Sequence, residues 1–165
     1  MDDFLKLVEG LSKTLPKFPD GRIDYTNSAE AAALNIFVEA SGEFLLLKRS
    51  EKVGNYGGKW ASVAGYMDEV RPIEEKVLEE LREEIGVEKE LIKNIAIGNV
   101  FFKKDLKLEK IWIICPIVVK LKSKPEINLD WEHTEFKWVR KEEILSFDLM
   151  PGVELALENL PIEGV

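Results

Sequence analysis

The chain has 165 residues, 45% of them hydrophobic, which suits one globular domain with a sizeable core and argues against a disordered segment. Its formal net charge of −8 at pH 7 argues against general binding of nucleic acid polymers or anionic membranes, because both require a basic surface. The single cysteine, Cys115, excludes an internal disulfide. The longest apolar run, Ile111 to Val119, is too short to span a bilayer and no signal peptide precedes the fold, so we expect a cytoplasmic protein.

An amphipathic helix is predicted near the N-terminus, over about residues 2–15. Apolar residues recur there at helical spacing between Phe4 and Leu15, and two prolines then end the pattern. Residues 17–27 are predicted to be a loop. We expect residues 1–165 to form a single domain with this helix as an addition that packs on the core, covers a cleft or makes a dimer contact.

Two β-rich runs follow, Ala33 to Glu39 and Glu43 to Arg49, and residues 40–42 join them as a hairpin. Residues 50–59 form a polar loop with three glycines. This loop does not match a phosphate-binding P-loop, because no Lys-Ser/Thr pair follows its glycines. A short strand is expected over residues 60–64.

The next stretch, Gly65 to Val87, is predicted to be a loop, a helix and a glycine stop. Pro72 suits the first helical position and Gly86 suits the position just past the helix end. Apolar residues between them gather on one side of a 3.6-residue helix, and that side is expected to face the core. These apolar residues are Ile73, Val77, Leu78, Leu81 and Ile85.

The remainder of the chain is predicted to alternate strands with short helices. The expected strands are Ile95 to Phe102, Lys110 to Leu121 and Phe136 to Val139, with a turn at residues 103–107 and a loop at 123–131. A short helix over residues 141–147 and a final helix over 152–160 follow. Strands on both sides of a central helix favour a mixed sheet between helices, in the α/β class.

Three carboxylates lie on the polar side of the central helix. Glu80, Glu83 and Glu84 stand at i, i+3 and i+4, so their side chains project as one cluster. From spacing alone this cluster is either a solvated acidic face or a site for a hard divalent cation such as Mg²⁺, which prefers oxygen ligands.

The segment from residue 80 to 87, Glu-Leu-Arg-Glu-Glu-Ile-Gly-Val, resembles the Nudix box of the Nudix hydrolases. The family pattern is Gly, five residues, Glu, seven residues, then Arg-Glu-aliphatic-x-Glu-Glu-x-Gly-aliphatic. It fits here from Gly65 to Val87 without a gap, but Arg71 stands where the family has Glu and Glu79 where it has Arg. In the family these two residues form an ion pair between loop and helix, and the exchange keeps their charges opposite.

The resemblance implies an α/β/α sandwich with a mixed β-sheet over about residues 33–160. It also implies a metal-dependent hydrolase, in which water attacks a phosphorus of a nucleoside diphosphate derivative. Mg²⁺ or Mn²⁺ would be held by Glu80, Glu83 and Glu84, of which Glu83 and Glu84 are also candidate catalytic residues. The backbone carbonyl of Ala64 is a further candidate ligand. The family usually has glycine at that position, so alanine is strained there if a positive φ is required.

The loop before the last strand is a second source of catalytic residues. Many family members place an acidic residue there as an extra ligand or general base, and Glu132 is the first candidate here, with Glu135 the second. Both also fit solvated loop carboxylates. His133, the only histidine, has a side chain suited to proton transfer, although an isolated histidine is more often a packing or surface residue.

Residues for substrate binding are chosen by side-chain chemistry. Arg49 and Lys59 are candidates to bind phosphate, and each also fits a solvated cation. Trp60 is a candidate to stack on a base, although core packing fits it equally well. Further aromatic candidates are Tyr56, Phe102 and Trp131.

Three functions compete on this basis. The first is a hydrolase acting on a small-molecule nucleoside diphosphate derivative, as a homodimer of the kind frequent in the family. The second is a catalytically silent nucleotide-binding module, motivated by the exchange at Arg71 and Glu79 and by Ala64. The third is an enzyme similar to isopentenyl diphosphate isomerase, which needs a cysteine opposite a glutamate, whereas Cys115 lies in an apolar strand.

Overall fold

The computed structural model describes residues 3–161, which contain three α-helices and eight β-strands. The helices are α1 (Asp3–Thr14), α2 (Ile73–Ile85) and α3 (Val153–Glu158). The strands are β1 (Glu30–Ala40), β2 (Glu43–Arg49), β3 (Trp60–Ala61), β4 (Val63–Tyr66), β5 (Ile92–Ile97), β6 (Phe101–Asp105), β7 (Lys110–Leu121) and β8 (His133–Val139). No helix within residues 3–161 has the length and apolar character needed to cross a membrane.

The strands form one mixed sheet. Its main path is β3-β2-β1-β7-β5, with β4 paired to β1, β6 to β7 and β8 to β2. The central pair β1 and β7 is parallel and the other pairs are antiparallel. Both central strands are apolar over most of their length because the sheet is covered on both faces.

Helices cover both faces of the sheet, so the predicted α/β/α sandwich is confirmed. Alternate residues of β2 show the division clearly. Leu45 and Leu47 belong to a core shared with α1 and α2, whereas Phe44 and Leu46 belong to a second core shared with α3. This alternation follows from the two-residue repeat of a β-strand.

The N-terminal segment packs on the same face of the sheet as α2. Phe4 and Val8 of α1 are fully buried in the first core. Beyond the helix, the Ile23 N–H donates to the Asp68 carbonyl at 2.8 Å, and the Tyr25 hydroxyl donates to the Met67 carbonyl at 2.7 Å. The segment therefore holds the loop that leads into α2. The expected helix start at residue 2 lies outside the described residues.

The predicted continuous strand from residue 95 to 102 is wrong. The structure has two strands, β5 and β6, which pair with opposite halves of β7 and are separated at residues 98–100. Gly98 lies in this break, where an added Cβ would come 2.2 Å from the backbone oxygen of Asn159. The Asn99 N–H donates to the same oxygen at 2.8 Å. The end of α3 thus meets the chain where the strand is interrupted.

Two other boundaries also differ from the prediction. The expected strand over residues 60–64 is two strands, because β3 pairs with β2 whereas β4 pairs with β1. The last strand begins at His133 rather than Phe136, so residues 133–135 belong to a strand and not to a loop. The two C-terminal helices are shorter than expected, and the first of them is a 3₁₀ helix, Lys141–Ser146.

Helix α2 begins at Ile73, one residue after the predicted first position at Pro72, and it ends before Gly86 as the sequence predicts. Gly86 adopts the left-handed conformation, with φ 70° and ψ 26°. Its N–H donates to the Arg82 carbonyl at 3.1 Å, and the Val87 N–H donates to the Leu81 carbonyl at 3.2 Å. These bonds satisfy carbonyls that the helix end leaves without partners, so the helix stops at a defined residue.

The exchanged charges of the box form an ion pair between the loop and α2. Arg71 Nη2 donates to Glu79 Oε2, and Arg71 also lies 3.5 Å from Glu69. Lys76 Nζ contacts the same Glu79 carboxylate at 3.0 Å. The brace that the family forms with Glu and Arg is therefore present here with reversed polarity.

Replacing Gly98 with alanine is expected to destabilise the fold. Its Cβ would overlap the Asn159 backbone, and overpacking of this kind costs about 1–3 kcal/mol. The control is Gly10→Ala in α1, where an added Cβ meets nothing within 4 Å and should raise stability by about 0.5–1 kcal/mol. Urea unfolding of both variants tests the assignment, and a Gly98→Ala protein as stable as wild type would contradict it.

The reversed brace predicts favourable coupling between its two residues. Arg71→Glu and Glu79→Arg should each lower the free energy of unfolding, and the double variant should recover part of the loss, about 0.5 kcal/mol. Recovery is expected to be incomplete because Lys76 would then face a new arginine. Strict additivity of the two changes in urea unfolding would show that the side chains do not interact.

Candidate active site

A cleft of about 670 Å³ opens between α2 and one edge of β1, β4 and β7. Most of the site residues expected from the sequence line it: Arg49, Ala64, Glu80, Glu83, Glu84 and Glu132. Acidic side chains outnumber basic ones along its described walls. The cleft is therefore the place where the sequence-based site is assembled.

Glu80 and Glu84 lie side by side at its base, 8% and 5% exposed. Burial raises the pKa of both carboxyl groups, and that of Glu84 lies well above its usual range. The neighbouring Glu80 side chain adds to the upward shift in the pKa of Glu84, because a second negative charge so close is unfavourable. Glu83, one turn from Glu80, is exposed at the mouth of the cleft.

Gly65 provides the space in which Glu80 lies. A Cβ added there would come 2.4 Å from the Glu80 carboxyl carbon. Gly65 does not have a positive φ, so space rather than backbone conformation requires glycine at this position. The neighbouring Ala64 also has no positive φ and lies in β4 opposite Asn35, so the strain considered for alanine is absent.

Lys76 is a site residue that motif matching does not single out. Its side chain is buried, and its ammonium lies 3.2 Å from Glu80, 3.0 Å from Glu79 and 3.5 Å from Asp68. The i, i+4 spacing from Glu80 is the sequence signal that identifies it. The second contact of Asp68 is Arg22 of the N-terminal segment, at 3.5 Å.

The first residue of β8 brings an imidazole to the cleft. His133 is buried, with Nδ1 2.8 Å from Asp130 Oδ1 and Nε2 3.8 Å from Glu84 Oε1. Glu132 is half-buried and lines the cleft, and its charge contributes to the raised pKa of Glu84. Glu135, the second acidic candidate, is exposed in β8 and pairs with Lys48 at 3.2 Å, outside the cleft.

Of the three candidates for substrate binding, only Arg49 lines the cleft. Arg49 lines the cleft, where its guanidinium donates to the Asn55 carbonyl at 2.8 and 3.1 Å. Lys59 lies outside and pairs with Asp148 at 2.8 Å. Trp60 is buried in the second core, with its ring edge-on to Phe147 at 5.3 Å. The geometry thus unites Arg49 with the carboxylates but not Lys59 or Trp60.

Aromatic side chains line the cleft, but none of the four chosen from the sequence is among them. Tyr66 lies between the rings of Tyr25 and Trp112, with centroid distances of 5.7 and 5.8 Å. Tyr66 follows directly on the box glycine, which is the signal that could locate it. Tyr56 donates its hydroxyl to Asp105 at 2.9 Å. Phe102 and Trp131 are highly exposed, and like Tyr56 and Trp60 they do not line the cleft.

The donor set fits a hard divalent cation. Within residues 3–161, no three His, Cys, Asp or Glu side chains converge in a ready-made ligand geometry. Two buried glutamates in direct contact are nevertheless costly unless a proton or a cation compensates their charge. Carboxylate oxygens backed by the Ala64 backbone are the ligand type that Mg²⁺ and Mn²⁺ prefer.

The structure does not support the observations that favoured the two alternatives to a hydrolase. Cys115 is fully buried in β7 and does not line the cleft, so it cannot face a glutamate across a bound substrate. The reversed pair of Arg71 and Glu79 is intact, and Ala64 is unstrained. The two departures from the box that suggest a silent binding module thus leave the brace and the backbone in place.

Comparisons with known proteins agree with this geometry. The family model of the NUDIX domain matches residues 29–160. The chain is 27% identical over 130 residues to the nucleoside triphosphatase NudI of Klebsiella pneumoniae. The aligned region covers 74% of this chain and 90% of that protein. NudI of Escherichia coli is 28% identical over 120 residues, covering 68% and 83%.

Solved structures show the same relationship. The MutT protein from Methanosarcina mazei Go1 superposes with a TM-score of 0.62 at 29% identity, covering 80% of this chain and 93% of that one. An Ap4A hydrolase from C. elegans shares the fold, with a TM-score of 0.58 at 23% identity over 79% and 93% of the two chains. With the family match extending over residues 29–160, the chain belongs to the Nudix family of hydrolases.

Proposed function

We propose that this enzyme hydrolyses the diphosphate linkage of a nucleoside diphosphate derivative, a class that includes nucleoside triphosphates, with Mg²⁺ or Mn²⁺ as cofactor. The observation that carries the proposal is the buried pair of Glu80 and Glu84 in a cleft of about 670 Å³, a volume typical of small-molecule sites. The relatives named nucleoside triphosphatase support the same substrate class. The cytoplasmic location and the homodimer remain predictions.

The carboxylates of α2 are the proposed metal ligands. When bound, a divalent cation activates water for attack and neutralises charge on the diphosphate. Glu80 and Glu84 would hold it from the base of the cleft, Glu83 from its mouth and the Ala64 carbonyl from β4. Because the three glutamates share one helix, their backbone positions are fixed relative to one another, and burial further restricts the side chains of Glu80 and Glu84.

Proton transfer is assigned to the other side of the cleft. Glu132 is the proposed general base, since it is half-buried, lines the cleft and is not engaged by a basic side chain within residues 3–161. The contact of Nδ1 with the Asp130 carboxylate at 2.8 Å fixes the His133 ring with its Nε2 toward Glu84. His133, with Nε2 3.8 Å from Glu84 Oε1, is the proposed residue that orients the Glu84 side chain.

Arg49 is the proposed phosphate-binding cation. It is the one predicted phosphate ligand whose side chain lines the cleft, and its bonds to the Asn55 carbonyl fix the guanidinium there. Lys59 is not retained for this role because it lies outside the cleft and pairs with Asp148.

Removal of the carboxylate charge of Glu83 or of Glu84 is expected to reduce turnover strongly. Glu83→Gln and Glu84→Gln should each reduce activity by about 100-fold or more, since loss even of residues that support metal ligands costs 10–100-fold. A panel of nucleoside triphosphates, dinucleoside polyphosphates and nucleotide sugars, with products identified by mass, provides the assay. Activity should disappear with EDTA and return with Mg²⁺ or Mn²⁺.

The matched control for this experiment is Glu74→Gln, an exposed glutamate in the first turn of the same helix that does not line the cleft. It should retain wild-type activity. Unchanged turnover in both ligand variants, or full activity in EDTA, would refute the metal-dependent mechanism.

The space at Gly65 predicts a second functional variant. In Gly65→Ala the added methyl group would displace the Glu80 carboxyl group, so Mn²⁺ affinity and activity should both fall while the fold is kept. Gly54→Ala is the control, because its Cβ would meet nothing within 4 Å. Calorimetric Mn²⁺ titration and circular dichroism measure the two effects, and wild-type Mn²⁺ affinity in Gly65→Ala would contradict this account of the glycine.

A further inference from the structure

A lysine ammonium lies within the carboxylate cluster of the active site. Lys76 is 6% exposed, and its Nζ lies 3.0–3.5 Å from Glu79, Glu80 and Asp68. Two of these carboxylates, Glu80 and Asp68, are themselves buried. Buried charges are stable only when they are paired, so Lys76 and this group depend on each other.

Lys76 is the main positive charge at Glu80. Within residues 3–161, it is the basic side chain within ion-pair distance of that carboxylate, whereas Asp68 also contacts Arg22 and Glu79 also contacts Arg71. The family pattern places an arginine directly before the first box glutamate, but here that position is Glu79 and adds a negative charge instead. Lys76, one turn earlier on α2, contacts both Glu79 and Glu80.

We propose that Lys76 is a positioning residue that acts as a built-in counter-ion of the metal site. In the metal-free protein it holds the Glu80 carboxylate at the base of the cleft. A divalent cation bound at Glu80 takes over part of this role and competes with the ammonium for the same carboxylate. Lys76 thereby sets how tightly the site binds metal. This inference rests on the proposed metal-dependent function.

Two opposite consequences follow when the ammonium is removed. The metal-free protein loses the partner of three carboxylates, so its stability falls. Metal binding becomes stronger, because the cation no longer shares Glu80 with a fixed positive charge. Since a ligand that binds only the folded state stabilises it in proportion to its affinity, added metal should stabilise the variant more than wild type.

The experiment compares Lys76→Met with wild type after removal of metals with a chelator. Without metal, the Tm of the variant should be lower than that of wild type. With saturating Mn²⁺, the rise in Tm should be larger, and calorimetric titration should give a Kd for Mn²⁺ that is roughly tenfold lower, equivalent to about 1.4 kcal/mol. Hydrolysis assays in parallel show whether the metal still binds productively.

The control is Lys124→Met, which removes an exposed lysine that pairs with Glu43 outside the cleft. Its Mn²⁺ affinity and its Mn²⁺-induced rise in Tm should equal those of wild type. A second variant, Lys76→Gln, removes the charge but keeps a hydrogen-bond donor, and should shift both quantities in the same direction as Lys76→Met.

An unchanged or weaker Mn²⁺ affinity in the Lys76 variants overturns the proposal. So does failure of both variants to fold even with Mn²⁺ present, because the proposal requires that a metal can replace the ammonium. If wild type itself binds no Mn²⁺ and hydrolyses no member of the panel, the proposed function fails instead. Binding by wild type with equal binding by the variants eliminates the role of Lys76 alone.

Discussion

The close burial of Glu80 and Glu84 is the constraint on which the rest of the active site depends. Two carboxyl groups in contact, removed from water, cannot both carry a charge without compensation. The raised pKa of Glu84 and the ammonium of Lys76 beside Glu80 both reflect this requirement, and Gly65 leaves the space in which Glu80 lies. The fold contributes rigidity, since α2 is fixed by its apolar side in the core and by a defined glycine stop.

The reversed polarity of the box brace is a rearrangement of charges rather than a loss of them. Arg71 and Glu79 still join loop to helix, but a carboxylate now stands directly before Glu80. Lys76 lies within reach of both Glu79 and Glu80, so the local balance of charge is kept. The rearrangement is not perfect, because Arg71 Nε is buried without a hydrogen-bond partner in the described residues. Such an atom loses its hydrogen bond to water on folding and forms none in the protein, which lowers the stability of the folded state.

The sequence predicted what depends on local spacing. The limits of α2, the shared face of its three glutamates and the apolar strands of the sheet all follow from periodicity and from proline and glycine positions. Features set by tertiary register were missed. The break at Gly98 arises from the Asn159 backbone, which is remote in sequence. Trp60 directly follows the polar loop yet turns into the second core, and the placement of His133 beside Glu84 depends on the pairing of β8 with β2.

The N-terminal segment bears on where the working enzyme begins. The family domain starts at residue 29, yet Ile23 and Tyr25 donate to consecutive carbonyls of the loop entering α2, and Arg22 reaches its aspartate. A protein that began at residue 29 would lack the donors to those carbonyls. It would also lack the N-terminal residues that line one side of the cleft. The residues upstream of the family match thus support the loop that enters α2, and a stable cleft depends on contacts made from outside the family boundary.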